Sequence, residues 1–596
     1  MATASQAVPA TPDAGHARTW LGHPRGLFIL FLTEMWERFS YYGMRSLLVL
    51  YMVNHLFIRP DVGRRVLFFD QVKHSLEALF GPLAAQAMSS QVYGLYTGFV
   101  YFAPFFGGLL ADRLLGRRRC VIAGGVLMAI GHFLMAVEQM FFPALMVLIL
   151  GNGCFKPNIS TQVGALYPPG DPRRDRAFSI FYVGINLGAF LSPLVCGTLG
   201  QRVGWHWGFA AAGVGMVIGL VLYLSNQRLL VGEPLPTESK SAPVAGLAVY
   251  LVGIPLLIGG LLWVLTLPRA IPATAAAIAA AAILFWLARL PRDERPRVIA
   301  ICVACFIVAA FWAVYEQQGN TLQLWADRNA RWPSVFGFQL PSTWYQAFNP
   351  FMIFAFTPVL QGVWAWQSAR NQEPSSLTKM AIGCVLLGLG FVVMIVASQG
   401  MAADTRRSVM WLVSSTFIYT IGELYLSPIG LSFVTKVAPA RIASMMMGVW
   451  FLANFIGNYM TGYLGTFWER MPHASFFLML MTIGIAAGVV LFAIGRPLDR
   501  IVARTTGTRP AERKSEGRRR LSTRKPGATE AGAGLRERPL KPPAAPRLED
   551  FIVPPGSKQP MKPFMFTPTY GSGSTSAPGS TPPRSRSRTA RDAARC

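Results

Sequence analysis

The chain of 596 residues is 52% hydrophobic and only 14% charged, with a mean hydropathy of +0.39, whereas soluble domains carry about 25% charged residues. A soluble globule is excluded and a polytopic membrane protein is implied. The net charge of +27 is not read as nucleic-acid binding, because residues from Asp499 onward carry 21 Lys/Arg against 8 Asp/Glu, a net +13, and most of the remainder lies in short loops, where membrane topology collects basic residues.

The first 20 residues show no basic segment followed by an apolar one, so a cleaved leader is not expected and the first span is expected to direct insertion. Apolar segments recur at 27–53, 90–112, 118–138, 141–162, 178–201, 207–226, 245–267, 271–290, 297–320, 343–367, 377–398, 409–436, 441–467 and 475–496, which makes fourteen spans. The first is unusual. It holds Glu34, Glu37, Arg38 and Arg45, each costing about 2.5–3.5 kcal/mol at mid-membrane. On a helix, Glu34, Glu37, Arg38, Tyr41 and Arg45 share a sector about 100° wide and about 16 Å long, a polar stripe facing a cavity.

Residues 54–90 form an extended loop with a short amphipathic piece from His74 to Ala84. Basic residues collect in alternate loops (Arg113 to Arg119, Arg173 to Arg176, Arg289 to Arg297, Arg370 with Lys379, Lys436 with Arg441), which places both termini in the cytoplasm despite exceptions such as Arg59 and Arg406. Spans seven and eight carry no embedded acid and have only Arg269 at their turn, so they read as a lipid-facing hairpin between two six-helix halves. The tail is rich in Pro, Ser, Gly and Arg, as a disordered chain is, and its basic residues suit either solvent or anionic lipid headgroups. The expected division is a cytoplasmic segment 1–24, a six-helix bundle 25–230 with its periplasmic loop 54–90, a linker and hairpin 231–294, a second bundle 295–496 and a disordered basic tail 497–596.

Three further ions stand inside spans: Lys156, Glu316 and Glu423. With the first span they give four acids against three bases, so one added proton neutralises the set. A carboxylate beside a cation keeps a low pKa and loses that advantage when the cation leaves, so partner exchange between two conformations makes a proton carrier. Pro157, Pro350, Pro358 and Pro428 interrupt spans in both halves, where hinges line cavities. Asn186 and Asn349 at such breaks suit hydrogen bonding to peptide groups, or interhelical contact. Tyr41, Tyr42, Tyr101, Trp312 and Trp450 suit pocket walls or ordinary packing. Cys302 and Cys305 form a C-x-x-C with no second pair or nearby His to complete a metal site. Ser, His and Asp do not converge in any span, and His132 stands alone, so neither an enzyme nor a metal is expected.

Glu34-x-x-Glu37-Arg38-Phe39-x-Tyr41-Tyr42-Gly43 resembles the ExxERFxYYG signature of the proton-dependent oligopeptide transporters, and Phe181-Tyr182-Val183-Gly184-Ile185-Asn186-Leu187-Gly188 resembles that family's FYxxINxG signature. Gly107 to Arg117 is similar to a loop found across the major facilitator superfamily. The resemblance runs from about residue 20 to 496. It implies an all-α membrane protein of that superfamily, two six-helix bundles plus the hairpin, importing di- and tripeptides with protons and using no cofactor. It also implies roles. Glu34, Glu37, Arg38, Lys156 and Glu316 would couple protons, with Glu316 alternating between a proton and Arg45; Arg45 and Lys156 would attract the peptide carboxylate and Glu423 its amino group. Asn186 and Asn349 would bind termini or backbone, and Tyr41, Tyr42, Tyr101, Trp312 and Trp450 would shape side-chain pockets. A monomer in the inner membrane, contacting lipid, is expected. The long loop 54–90 and the tail depart from the family pattern. The alternatives are a same-scaffold transporter of nitrate or a peptide-like compound, against which Glu423 argues because it repels anions, and a peptide receptor without transport.

Overall fold

The computed structural model describes residues 19–506, apart from 169, 231–243, 269 and 403–404. The N-terminal segment 1–18, much of the linker, Arg269 and the tail from 507 onward therefore lie outside the described residues.

Fourteen long helices follow one another: α1 (Arg25–Tyr51), α2 (Ala85–Leu110), α3 (Arg117–Leu134), α4 (Phe141–Ala165), α5 (Arg173–Ser192), α6 (Trp205–Ser225), α7 (Val244–Thr266), α8 (Ala270–Arg289), α9 (Arg295–Tyr315), α10 (Tyr345–Ala369), α11 (Ser376–Ser398), α12 (Met410–Val437), α13 (Ala443–Gly465) and α14 (His473–Thr506). Only a helix satisfies all of its backbone groups within one segment, which is what an apolar run in hydrocarbon needs. Among the described residues, nine helices are long and apolar enough to cross a membrane by length and composition alone; α1, with its embedded ions, is not one of them. The strands among the described residues are three pairings of two residues each, all at loops.

The helices sort into two bundles. In the first, α1 packs on α5 and α6, α4 on α2 and α3, and α3 on α6. In the second, α11 packs on α12 and α14, α9 on α13 and α14, and α10 on α12. The bundles meet along two seams, α2 with α13 and α5 with α10. Glycine sets the first seam: a Cβ on Gly94 would stand 2.7 Å from Gly462 Cα. Small residues at such crossings let helix backbones touch, a general source of cohesion in lipid.

Five differences from the sequence reading have physical causes. The amphipathic piece is a helix from Phe69 to Phe80, starting before His74, and α2 begins at Ala85 rather than 90, because the polar stretch before the apolar run is also helical. A short extra helix, Thr321–Arg328, follows α9, hidden in the sequence by its continuity with the ninth span. The last helix runs past 496 to Thr506, since nothing after Pro497 stops it. Finally, the hairpin is not wholly lipid-facing: Tyr250, Ile254 and Ile258 of α7 are buried, and α7 packs on α2, on α4 and on the helix Phe69–Phe80.

Candidate functional site

The α1 stripe is buried as the helical period predicts, with Glu34, Glu37, Arg38 and Arg45 at most 4% exposed. Glu34 and Arg38 lie one turn apart on one face, and Arg38 Nε is 3.1 Å from Glu34 Oε1. The same guanidinium pairs with Glu37, whose other oxygen accepts from Asn152 Nδ2 of α4 at 3.4 Å. Arg38 therefore shares two carboxylates, and its neighbour on α4, half-buried Lys156, lies within electrostatic range of both acids. Among the described residues Lys156 makes no ion pair; its Nζ stands 4.3 Å from the centre of the Tyr101 ring, a cation–π contact.

Two turns further along α1 the two bundles are joined by charge. Arg45 pairs with Glu316 of the second bundle, while Arg45 Nε donates to Tyr93 Oη at 2.9 Å and that hydroxyl lies 3.3 Å from Glu316 Oε2. Glu316 reaches Arg45 because α9 tightens there into a 3₁₀ turn, Glu316–Gly319. A side chain on Gly319 would strike Tyr93 Oη, so only glycine lets the three groups meet. Buried pairs of this kind persist when further hydrogen bonds satisfy the remaining atoms, and Tyr93 supplies those.

Glu423 of α12 has different company. Tyr315 Oη donates to Glu423 Oε2 at 2.5 Å and Asn349 Nδ2 to the same oxygen at 3.0 Å. Both donors are neutral, and among the described residues Glu423 pairs with no cation. It lies within electrostatic range of Glu316 and Arg45, and of Tyr182 on α5, so ions from both bundles surround one region. Tyr182 is 44% exposed.

The other expected contacts are arranged less simply. Asn186 Nδ2 donates to Tyr182 O in its own helix at 3.0 Å, and Asn349 also reaches Thr420 Oγ1 at 3.0 Å, so both amides are already engaged. Tyr41 is buried, edge-on to Tyr42 at 5.1 Å and 5.6 Å from the Arg38 guanidinium. Tyr42 lies 5.7 Å from Arg45. Trp312 crosses Tyr315 edge-on at 5.2 Å, and its buried Nε1 has no hydrogen-bond partner among the described residues. Trp450 lies on Gly430 of α12, where a Cβ would strike its ring. Tyr93, Asn152, Tyr182 and Tyr315 were not singled out from the sequence as site residues. Asn152 and Tyr315 adjoin segments already marked by Lys156 and Glu316; Tyr93 carried no signal. Among the described residues no cluster of His, Cys, Asp and Glu suits a metal ion.

Polar contacts between the bundles gather at the end that carries residues 54–90. Asp327 accepts from Asn54 Nδ2 at 3.0 Å and from Gln201 Nε2 at 3.2 Å. Gln201 also donates to Ser342 Oγ at 2.7 Å, and Trp344 Nε1 donates to Thr198 Oγ1 at 2.9 Å. With Arg45–Glu316 just inside them, these bonds close the structure at that end.

A model of the POT family matches residues 118–483. The chain is 35% identical to a peptide transporter of Yersinia enterocolitica, covering 83% of this chain and 98% of the relative. It is 33% identical to a di-/tripeptide transporter of Lactococcus lactis, covering 81% and 98%, and 36% identical to an uncharacterized transporter of Bacillus subtilis, covering 83% and 97%. Among solved structures, a peptide transporter POT in complex with sulfate superposes with a TM-score of 0.67 at 34% identity over 81% of this chain and 97% of that one. The helix order, the two bundles and these likenesses agree: the chain belongs to the POT family of membrane transporters.

Proposed function

We propose that the protein imports di- and tripeptides together with protons by alternating access. The observation that carries this is a pair of opposite charges without ion partners among the described residues. Lys156 of the first bundle stands over an aromatic ring, and Glu423 of the second accepts only from neutral donors. Ions without a contact ion pair in a membrane interior are costly, and a zwitterionic peptide offers one counter-charge to each in a single molecule. A relative named a di-/tripeptide transporter and a solved peptide transporter POT in complex with alafosfalin support the substrate class.

In this reading Lys156 and Arg45 attract the carboxylate and Glu423 the amino group. Asn186 offers its Oδ1, since its Nδ2 is engaged, and Asn349 turns from Thr420 or Glu423 toward the substrate. Tyr41, Tyr42, Tyr101, Trp312 and Trp450 shape the side-chain pockets. Protons act on Glu34, Glu37 and Arg38 with Lys156, and on Glu316, which exchanges Arg45 for a proton. Fixed charges at both ends read what all small peptides share, while aromatic walls discriminate weakly. The proposed bundles are 25–230 and 295–496, separated by the linker and hairpin 231–294 and followed by the tail 497–596. The protein is assigned to the inner membrane as a monomer with both termini cytoplasmic; the closed end then faces the periplasm and the state is inward-facing.

The amino-terminal role of Glu423 has its own test. Glu423→Gln removes the charge and keeps the shape, so a charge-assisted hydrogen bond of about 1.5–3 kcal/mol is lost. Competition by free-amine dipeptides should weaken about tenfold or more, while N-acetylated dipeptides should lose far less. Equal losses for both would remove Glu423 from that role.

A further inference from the structure

The inserted hairpin reaches into the helix that carries the first bundle's cation. Tyr250 of α7 is 6% exposed, and its hydroxyl donates to Leu150 O of α4 at 3.0 Å. The hydroxyl is packed so closely on Gly153 that any side chain there would strike it. This turn of α4 is unusual in three respects. Gly151 and Gly153 flank Asn152; a Cβ on Gly124 of α3 would stand 2.7 Å from Gly151 O; and α2 closes on Gly153 O through Gly107. Pro157 has no N–H to offer Gly153 O, so the helix ladder is broken here. Two glycines and a proline in seven residues, Gly151 to Pro157, leave the backbone poorly braced by its own hydrogen bonds. Yet Asn152 must reach Glu37, at 3.4 Å, and Lys156 must stand over Tyr101, at 4.3 Å. One contact on this turn comes from outside the bundle, the Tyr250 hydroxyl.

We infer that Tyr250 of the hairpin is a positioning residue for the proton-coupling group: its hydroxyl fixes the Gly151–Gly153 turn, so that Asn152 meets Glu37 and Lys156 keeps its place beside the α1 acids. This rests on the coupled-import reading above. It gives the hairpin a part in coupling, where composition alone describes an apolar filler. Tyr250 itself touches neither substrate nor proton, and its influence passes through Asn152 and Lys156.

The test is Tyr250→Phe, which removes one oxygen and keeps the ring, compared with wild type, Asn152→Ala and the double variant at matched amounts of monodisperse protein in liposomes. Two quantities are read: dialanine accumulation driven by an inward proton gradient, and dialanine counterflow without a gradient. Tyr250→Phe should lower driven accumulation at least fivefold while counterflow stays within twofold, and it should add no further loss in the Asn152→Ala background. Unchanged accumulation overturns the inference, as do equal losses in both assays, which mark a general structural defect, and multiplying losses in the double variant, which mark independent action. Wild type without driven accumulation would overturn the import reading and this inference together; wild-type accumulation with an inert Tyr250→Phe overturns this inference alone.

Discussion

Lys156→Ala should abolish proton-driven accumulation of dialanine in liposomes while leaving the protein folded. One proton moving through 100 mV releases about 2.3 kcal/mol, enough for roughly a 50-fold peptide gradient, so the expected change is from an accumulation approaching that value to none. The reason lies in the α1 stripe. Arg38 already serves both Glu34 and Glu37, so Lys156 is the second cation within range of those acids. Removing it leaves two carboxylates to one base, and the acids then hold a proton in both conformations. A carrier that keeps its proton cannot couple. Glu37→Gln should give the same loss, since it removes the acid that Arg38 and Asn152 both hold. Persistent gradient-driven accumulation in both variants would show that coupling lies elsewhere.

Glu316→Gln should both destabilise the protein and uncouple it. Breaking a buried pair from one side leaves an uncompensated charge at a cost of about 3–5 kcal/mol, whereas replacing both partners with apolar groups is often neutral. In Glu316→Gln, Arg45 keeps its charge and retains Tyr93 as its hydrogen-bond partner. The melting temperature of the purified protein should therefore fall more in Glu316→Gln than in the double variant Arg45→Met with Glu316→Leu. Neither should accumulate dialanine, because neither can exchange a proton for the ion pair. A double variant less stable than the single would show that the pair is held by its surroundings; a double variant that still accumulates peptide would remove this pair from coupling.

The embedded charges were legible in the sequence for an energetic reason. An ion in an apolar span is so costly that its presence already implies a partner or a cavity, and the 3.6-residue period placed Glu34, Arg38 and Arg45 on one face. Glu316 and Glu423 stand out in the same way, and the fold brings both to the region that α1 faces. Tyrosines and amides carry no such signal. Tyr93 completes the Arg45–Glu316 pair and Tyr315 holds Glu423, yet a tyrosine in a span serves packing, the membrane interface or hydrogen bonding equally well. Asn186 and Asn349 were identified as polar groups at breaks, but their present partners, Tyr182 O and Glu423 with Thr420, follow from helix geometry and from the second bundle, which no local pattern encodes. The buried face of the hairpin is not legible because apolar composition cannot tell a face toward lipid from a face toward α4; Ile254 and Ile258 read alike on either, and Tyr250 alone adds a polar contact. The boundaries of α2 and α14 were missed because helices continue through polar segments that hydropathy excludes.

Peptide and proton should cross together through the region where the α1 stripe meets Glu316 and Glu423. The most direct measurement places purified protein in liposomes holding a pH-sensitive dye, with no potential and no pH gradient, and adds dialanine outside. Inward peptide movement should acidify the lumen, and the acidification should vanish in Lys156→Ala. Dialanine uptake with an unchanged luminal pH in the wild type would contradict the account.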